Sequence, residues 1–132
     1  MPSNAMRSGL HVLIVDDHAD SAAVLAALLK RQNDSNSIIV RNCFCDAVEA
    51  ARSQRFDLLL CDIGLPDGDG CDLLRCIRKL YLVRAIATTA YAMPSDIQKC
   101  RDAGFDEVLT KPFTVDLLLK VLNELQFSEM QT

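Results

Sequence analysis

The chain carries no excess of positive charge: 14 lysines and arginines stand against 18 aspartates and glutamates, for a net charge of -4. Nucleic acid selects strongly basic surfaces, so this balance gives no support to direct nucleic-acid binding. The local basic group Arg75, Arg78, Lys79 and Arg84 has no interleaved aromatic residues and reads as a solvated face. Also missing is any apolar run near the roughly 18 to 20 residues that a bilayer crossing needs. No charged segment followed by an apolar stretch of signal-peptide type opens the sequence. The expectation is a cytoplasmic domain that makes no membrane contact. The six cysteines, Cys43, Cys45, Cys61, Cys71, Cys76 and Cys100, lack the two paired knuckles of a structural zinc site, with only His11 and His18 to supplement them. Three of them fall in apolar-periodic segments, so reduced thiols are expected rather than a disulfide framework.

What is present fits one domain. There are 132 residues, half of them hydrophobic, enough for one substantial core and too few for a second domain. Ser3-Asn4-Ala5 before Met6 has the form of an expression scar. The expected organisation is therefore residues 1–9 as scar and disordered N-terminus, 10–126 as the domain and 127–132 as a tail, excised from a longer protein.

Strand and helix signals alternate. His11 to Val15 reads as a buried strand, and Ala19 to Arg31 as a helix with Val24, Leu25, Leu28 and Leu29 on one face. Asn33 to Ser37 is a polar linker, Ile38 to Val40 a β-branched strand and Asp46 to Gln54 an Ala-rich helix. Leu58 to Cys61 is a third strand, followed after a glycine-rich turn by a helix whose inward face is Leu73, Leu74, Ile77 and Leu80. Val83 to Thr88, then Pro94 to Ala103, then Asp106 to Leu109 supply strand, helix and strand; Pro94 suits a first helical turn and Gly104 a stop. Leu118, Val121, Leu122 and Leu125 mark a last amphipathic helix. Five βα units imply a parallel sheet with helices on both faces and ligands beyond the carboxyl ends of the strands.

At those ends the apolar runs terminate in acids. Val12-Leu13-Ile14-Val15 runs into Asp16-Asp17, and Leu58-Leu59-Leu60-Cys61 into Asp62, so three carboxylates converge at one sheet edge. Such a convergence means a metal site, a phosphate-transfer site, or both. Thr89 and Lys111 fall at the ends of two further strands.

Taken together, Leu13-Ile14-Val15-Asp16-Asp17, Asp62-Ile63-Gly64-Leu65-Pro66-Asp67-Gly68, Thr89-Ala90 and Lys111-Pro112-Phe113 resemble the receiver domain of two-component response regulators. The resemblance runs from Leu10 to about Leu125, and Thr89-Ala90-Tyr91-Ala92-Met93-Pro94 is most similar to receivers of hybrid histidine kinases. It implies a flavodoxin-like (βα)5 doubly wound sheet of strand order 2-1-3-4-5. It also implies phosphoryl transfer from a phosphohistidine on a histidine kinase or histidine phosphotransfer protein to Asp62. A carboxylate can attack phosphorus to give an acyl phosphate. The resemblance assigns Mg²⁺ (or Mn²⁺) to Asp17 and Asp62 directly, to Asp16 through a water and to the Gly64 carbonyl, a set that suits a hard cation. Lys111 would offset the remaining negative charge and Thr89 would donate its hydroxyl to the phosphoryl group. The Lys111–Pro112 bond is expected to be cis. Fused kinase domains and a homodimer are further expectations, and the domain is expected to be a signalling switch that catalyses only its own phosphorylation and dephosphorylation.

Simpler readings compete. Asp16 and Asp17 could be helix-start acids favoured by the dipole, and Asp62 a turn residue. Asp67 and Asp69 read as a turn residue and a helix N-cap, and His18 as an exposed helix-start residue rather than a ligand. A haloacid-dehalogenase-type phosphatase would need an acid two positions after the nucleophile, where Gly64 stands. A phosphate-independent interaction module would not need the full set of acids, threonine and lysine. The sequence departs from many receivers at Val108, where an aromatic residue commonly precedes the lysine by three positions. Tyr91, two after Thr89, and Gly64, two after Asp62, flank the path of a hydrolytic water in the family. Tyr91 is expected to shield the acyl phosphate and Gly64 to leave room beside it.

Overall fold

A computed structural model describes residues 9–91 and 93–125. The expected scar and tail lie outside these residues, apart from Gly9. Five parallel strands form the sheet: β1 (His11–Val15), β2 (Ser37–Arg41), β3 (Leu58–Asp62), β4 (Arg84–Thr89) and β5 (Glu107–Thr110). Five helices connect or follow them: α1 (Ala19–Gln32), α2 (Phe44–Ser53), α3 (Gly70–Arg78), α4 (Pro94–Ala103) and α5 (Val115–Glu124). The strand order is β2-β1-β3-β4-β5, the order expected for a flavodoxin-like fold. The chain moves outward from β1 to β2 and then crosses to β3 on the other side. The switch point therefore lies between β1 and β3, where this architecture places its ligands.

The central strands carry apolar runs, Val12–Val15, Leu58–Cys61 and Ala85–Ala87, because both faces are covered there. Alternate residues part into two cores. Leu13, Val15, Leu59, Cys61, Ala85 and Ala87 join the α2–α3–α4 side, with Ala47, Leu74, Ile77 and Cys100. Val12, Ile14, Leu58, Leu60, Ile86 and Leu109 join the α1–α5 side, with Leu25, Leu29, Leu118 and Leu122.

Several expectations shift. Helix α2 begins at Phe44, two residues before the expected Asp46, because a distant side chain serves its first turn: both carboxylate oxygens of Asp67 accept from the backbone N–H groups of Phe44 and Cys45, at 2.6 and 3.1 Å. The glycine-rich turn holds a small antiparallel ribbon, Gly64–Leu65 with Gly68–Asp69. Strand β5 is displaced by one residue, and Asp106 is instead an acceptor for Ala85 N–H and Arg78. Val24 and Leu80, expected inward, are exposed, and Ala22 takes the inward position on α1. The basic group is not one solvated face. Arg78 is largely covered and donates to the carbonyls of Val83 and Gly104 and to Asp106, tying α3 to the ends of its neighbours. All six cysteines are free thiols, as expected.

Candidate functional site

Strand register brings the acids together. Val15 pairs with Cys61, so the next residues, Asp16 and Asp62, leave the sheet side by side at the usual inter-strand spacing of about 4.8 Å. Parity then decides their side: Asp16 continues the Val12–Ile14 series, Asp62 the Leu58–Leu60 series and Lys111 the one begun by Leu109. All three project toward the α1–α5 side of the carboxyl edge. Backbone hydrogen bonds extend the ladder past the strands, from Asp16 N to Arg41 O at 3.0 Å, Ile63 N to Thr88 O at 3.1 Å and Lys111 N to Thr89 O at 2.7 Å. These fix the places of the residues from which the site is built.

Asp16 and Asp62 are buried, at 2% and 8% exposure, whereas Asp17 is exposed. The Lys111 ammonium lies between the buried pair, 3.2 Å from Asp16 Oδ2 and 3.3 Å from Asp62 Oδ2. The other oxygen of Asp62 accepts from Gly64 N–H at 3.2 Å, and Asp16 Oδ1 from His18 N–H at 2.9 Å. The Lys111–Pro112 bond is cis, as expected.

Burial raises the pKa of Asp62, and the neighbouring Asp16 charge adds to the rise; Lys111 and the Gly64 N–H oppose it without cancelling it. Burial works against the charge on Lys111, but the carboxylates of Asp62 and Asp16 outweigh it and hold its pKa above the ordinary lysine range. The edge is thus anionic in excess, with two buried carboxylates sharing one ammonium.

Asp16, Asp17, His18 and Asp62 each place a ligand atom within 4.8 Å of the others. The three carboxylates among them fit the donor preference of a hard divalent cation. His18 stands at the start of α1 and is exposed, as expected, yet its ring is turned toward the acids rather than away from them. Sequence reasoning gave no reason for that orientation, since no periodicity specifies the rotamer of an exposed residue.

Thr89 falls on the opposite parity, in line with Ala85 and Ala87, and its hydroxyl accepts from Tyr91 N–H at 3.0 Å. It nevertheless lines one cleft of about 340 Å³ together with Asp62, Gly64, Tyr91, Lys111, His18 and Ser21. Tyr91 is mostly exposed at the rim. Val108 packs, half-buried, against the α2–α3–α4 core. Asp69 caps α3 by accepting from Cys71 N–H, as expected, and also pairs with Lys99 of α4 at 3.1 Å.

Residues 12–123, including every one of these strand-end positions, match the response regulator receiver domain family. The chain belongs to that family. The receiver is 30% identical over 138 aligned positions to the sensor histidine kinase RcsC of Escherichia coli, an alignment covering 92% of this chain and 14% of that protein. It is 32% identical to the KDP operon transcriptional regulatory protein KdpE of Escherichia coli, covering 80% of this chain and 46% of that one. The chain thus spans a small part of the first of these relatives and under half of the second. A receiver domain protein from Methanospirillum hungatei superposes with a TM-score of 0.82 at 27% identity, covering 94% of this chain and 99% of that one. The fold and the expected likeness to receivers carried by sensor kinases are both borne out. Membership of this family, with Gly64 in the position of the needed second acid, leaves the phosphatase reading without support.

Among the described residues, no helix is long and apolar enough to cross a membrane.

Proposed function

We propose that Asp62 is the phospho-acceptor of this receiver and that the strand-end residues serve its chemistry. The observation that carries the reading is the place of Asp62: a buried carboxylate at the carboxyl end of the central strand, beside Asp16 and within 3.3 Å of the Lys111 ammonium. The Asp62 carboxylate attacks the phosphorus of a phosphohistidine, forming an O–P bond as the N–P bond breaks and the imidazole leaves with the bonding pair. Lys111 holds a phosphoryl oxygen, and the hydroxyl of the buried Thr89, in the lining of the same cleft, donates to another. Transfer of this kind depends on positioning and charge neutralisation more than on proton transfer.

Mg²⁺ or Mn²⁺, held by Asp16, Asp17, Asp62 and the Gly64 carbonyl, would supply the positive charge that one lysine cannot. Tyr91 at the rim shields the acyl phosphate, while Gly64 leaves room: a Cβ built there meets nothing within 4 Å. The partners in this reading are a histidine kinase, free or fused to the same chain, or a histidine phosphotransfer protein, met in the cytoplasm. The domain turns over its own phosphoryl group and no other substrate, and residues 10–126 are its folding unit. With Val108 in place of an aromatic residue, output leaves the site by backbone shifts or through other side chains, and pairing of two receivers is one outlet.

Incubation with acetyl phosphate and Mg²⁺, read by intact mass, tests this. One added phosphoryl group is expected on the parent and none on Asp62→Asn; equal labelling of the two would overturn the assignment.

A further inference from the structure

His18 is spent on nothing that the fold requires. It occupies the N-cap position of α1, where a short polar side chain ordinarily accepts from the first turn, yet its ring makes no capping hydrogen bond. Instead Nδ1 lies 3.1 Å from Asp17 Oδ1, 3.4 Å from Asp16 Oδ1 and 4.0 Å from Asp62 Oδ2. The same residue's backbone N–H holds Asp16 Oδ1, so the peptide that carries the ring also orients one of the acids.

These separations are those of atoms sharing one ion. Bonds of ~2.1 Å place neighbouring ligands ~3.0 Å apart in an octahedron and ~3.4 Å apart in a tetrahedron, with opposed octahedral ligands ~4.2 Å apart. Three carboxylate oxygens suit Mg²⁺ and Mn²⁺, whereas an imidazole nitrogen suits Zn²⁺, Ni²⁺, Co²⁺ and Cu²⁺, which bind mixed N/O sites more tightly along the first row.

We propose that His18 Nδ1 is a fourth ligand to the divalent ion, engaged by late first-row metals and ignored by Mg²⁺. This inference rests on the proposed metal platform of Asp16, Asp17 and Asp62. It makes the site selective in an unexpected direction: a late transition ion would displace Mg²⁺ by gaining one ligand that Mg²⁺ does not use.

Calorimetric titration of tag-free protein with Mg²⁺ and with Ni²⁺ tests it, using the parent, His18→Gln, His11→Gln and Asp62→Asn. Loss of His18 should weaken Ni²⁺ at least about tenfold and Mg²⁺ less than about twofold. His11→Gln should change neither. In the Co²⁺-loaded parent, hyperfine-shifted imidazole resonances should appear and should vanish in His18→Gln. Unchanged Ni²⁺ affinity in His18→Gln, equal losses for both ions, or a Ni²⁺ loss in His11→Gln would overturn the inference. If Asp62→Asn leaves Mg²⁺ binding intact, the metal platform itself fails; if it abolishes Mg²⁺ binding while Ni²⁺ is indifferent to His18, only the ligand role of His18 fails.

Discussion

Replacing Asp62 by Asn should make the metal-free receiver more stable at neutral pH. Attraction between Asp62 and Lys111 at 3.3 Å is worth about 5 kcal/mol at an effective dielectric constant of 20. Repulsion from Asp16, whose ligand atom lies within 4.8 Å, returns about 3.5 kcal/mol at the same dielectric. Removing a carboxylate from water this completely costs a few kcal/mol more. The ionised side chain is therefore a net burden of roughly 1–2 kcal/mol, in agreement with its raised pKa. The sign follows from that direction. An acid whose folded pKa exceeds its unfolded value favours the fold only while protonated. That contribution is complete below the unfolded value, near pH 4, and is lost as pH rises through the folded value. The Asn variant should gain roughly 4–7 °C in Tm at pH 7, and the gain should disappear below about pH 4. Thermal unfolding followed by circular dichroism in EDTA at both pH values measures the Tm shift, and urea unfolding with m unchanged gives the matching change in free energy. A variant less stable than the parent at pH 7, or equally favoured at both pH values, would refute the balance of terms.

Lys111→Met should have the opposite effect, destabilising the metal-free fold by about 1–3 kcal/mol because it strands two buried carboxylates. The raised pKa of Lys111 means that its contribution is complete below about pH 10 and fades only as pH rises through the folded value, so pH 7 denaturation reads it fully. Gly70→Ala should cost about 1–3 kcal/mol by chemical denaturation and slow phosphoryl acceptance from acetyl phosphate, since its Cβ would lie 2.8 Å from the Asp62 carbonyl oxygen and 2.9 Å from Ile63 Cα. Leu59→Ala, at a buried position of the central strand, should lose about 2–5 kcal/mol by the same assay. Its acyl-phosphate lifetime should stay near that of the parent under conditions where both are folded.

The parts legible in the sequence were those governed by local periodicity. Runs such as Val12–Val15 and Leu58–Cys61, too short for helices, read as strands covered on both faces, and their shared ending in aspartate brings the acids to one edge of the sheet. The misjudged positions have non-local causes. Val24 and Leu80 are apolar and in phase, yet the helix rotation that buries Ala22, Leu25 and Leu29 leaves Val24 in solvent. Helix α2 starts early because Asp67, 23 positions from Phe44, supplies its first-turn acceptor. Arg78 looks like one more surface cation until the carbonyls of Val83 and Gly104 converge on it.

By itself, the sequence determined the alternating βα architecture, the family and the identity of the strand-end residues, because hydrophobic period and segment length are properties of neighbouring positions. Only the tertiary structure decided how those ends combine. The pairing of Val15 with Cys61 sets Asp16 beside Asp62, and parity turns Lys111 toward both while leaving Thr89 on the other side of the edge. The rotamer of His18 brings a nitrogen among three carboxylates. Such relations depend on register and rotamer across residues as far apart as Asp16 and Lys111, and no local pattern encodes them.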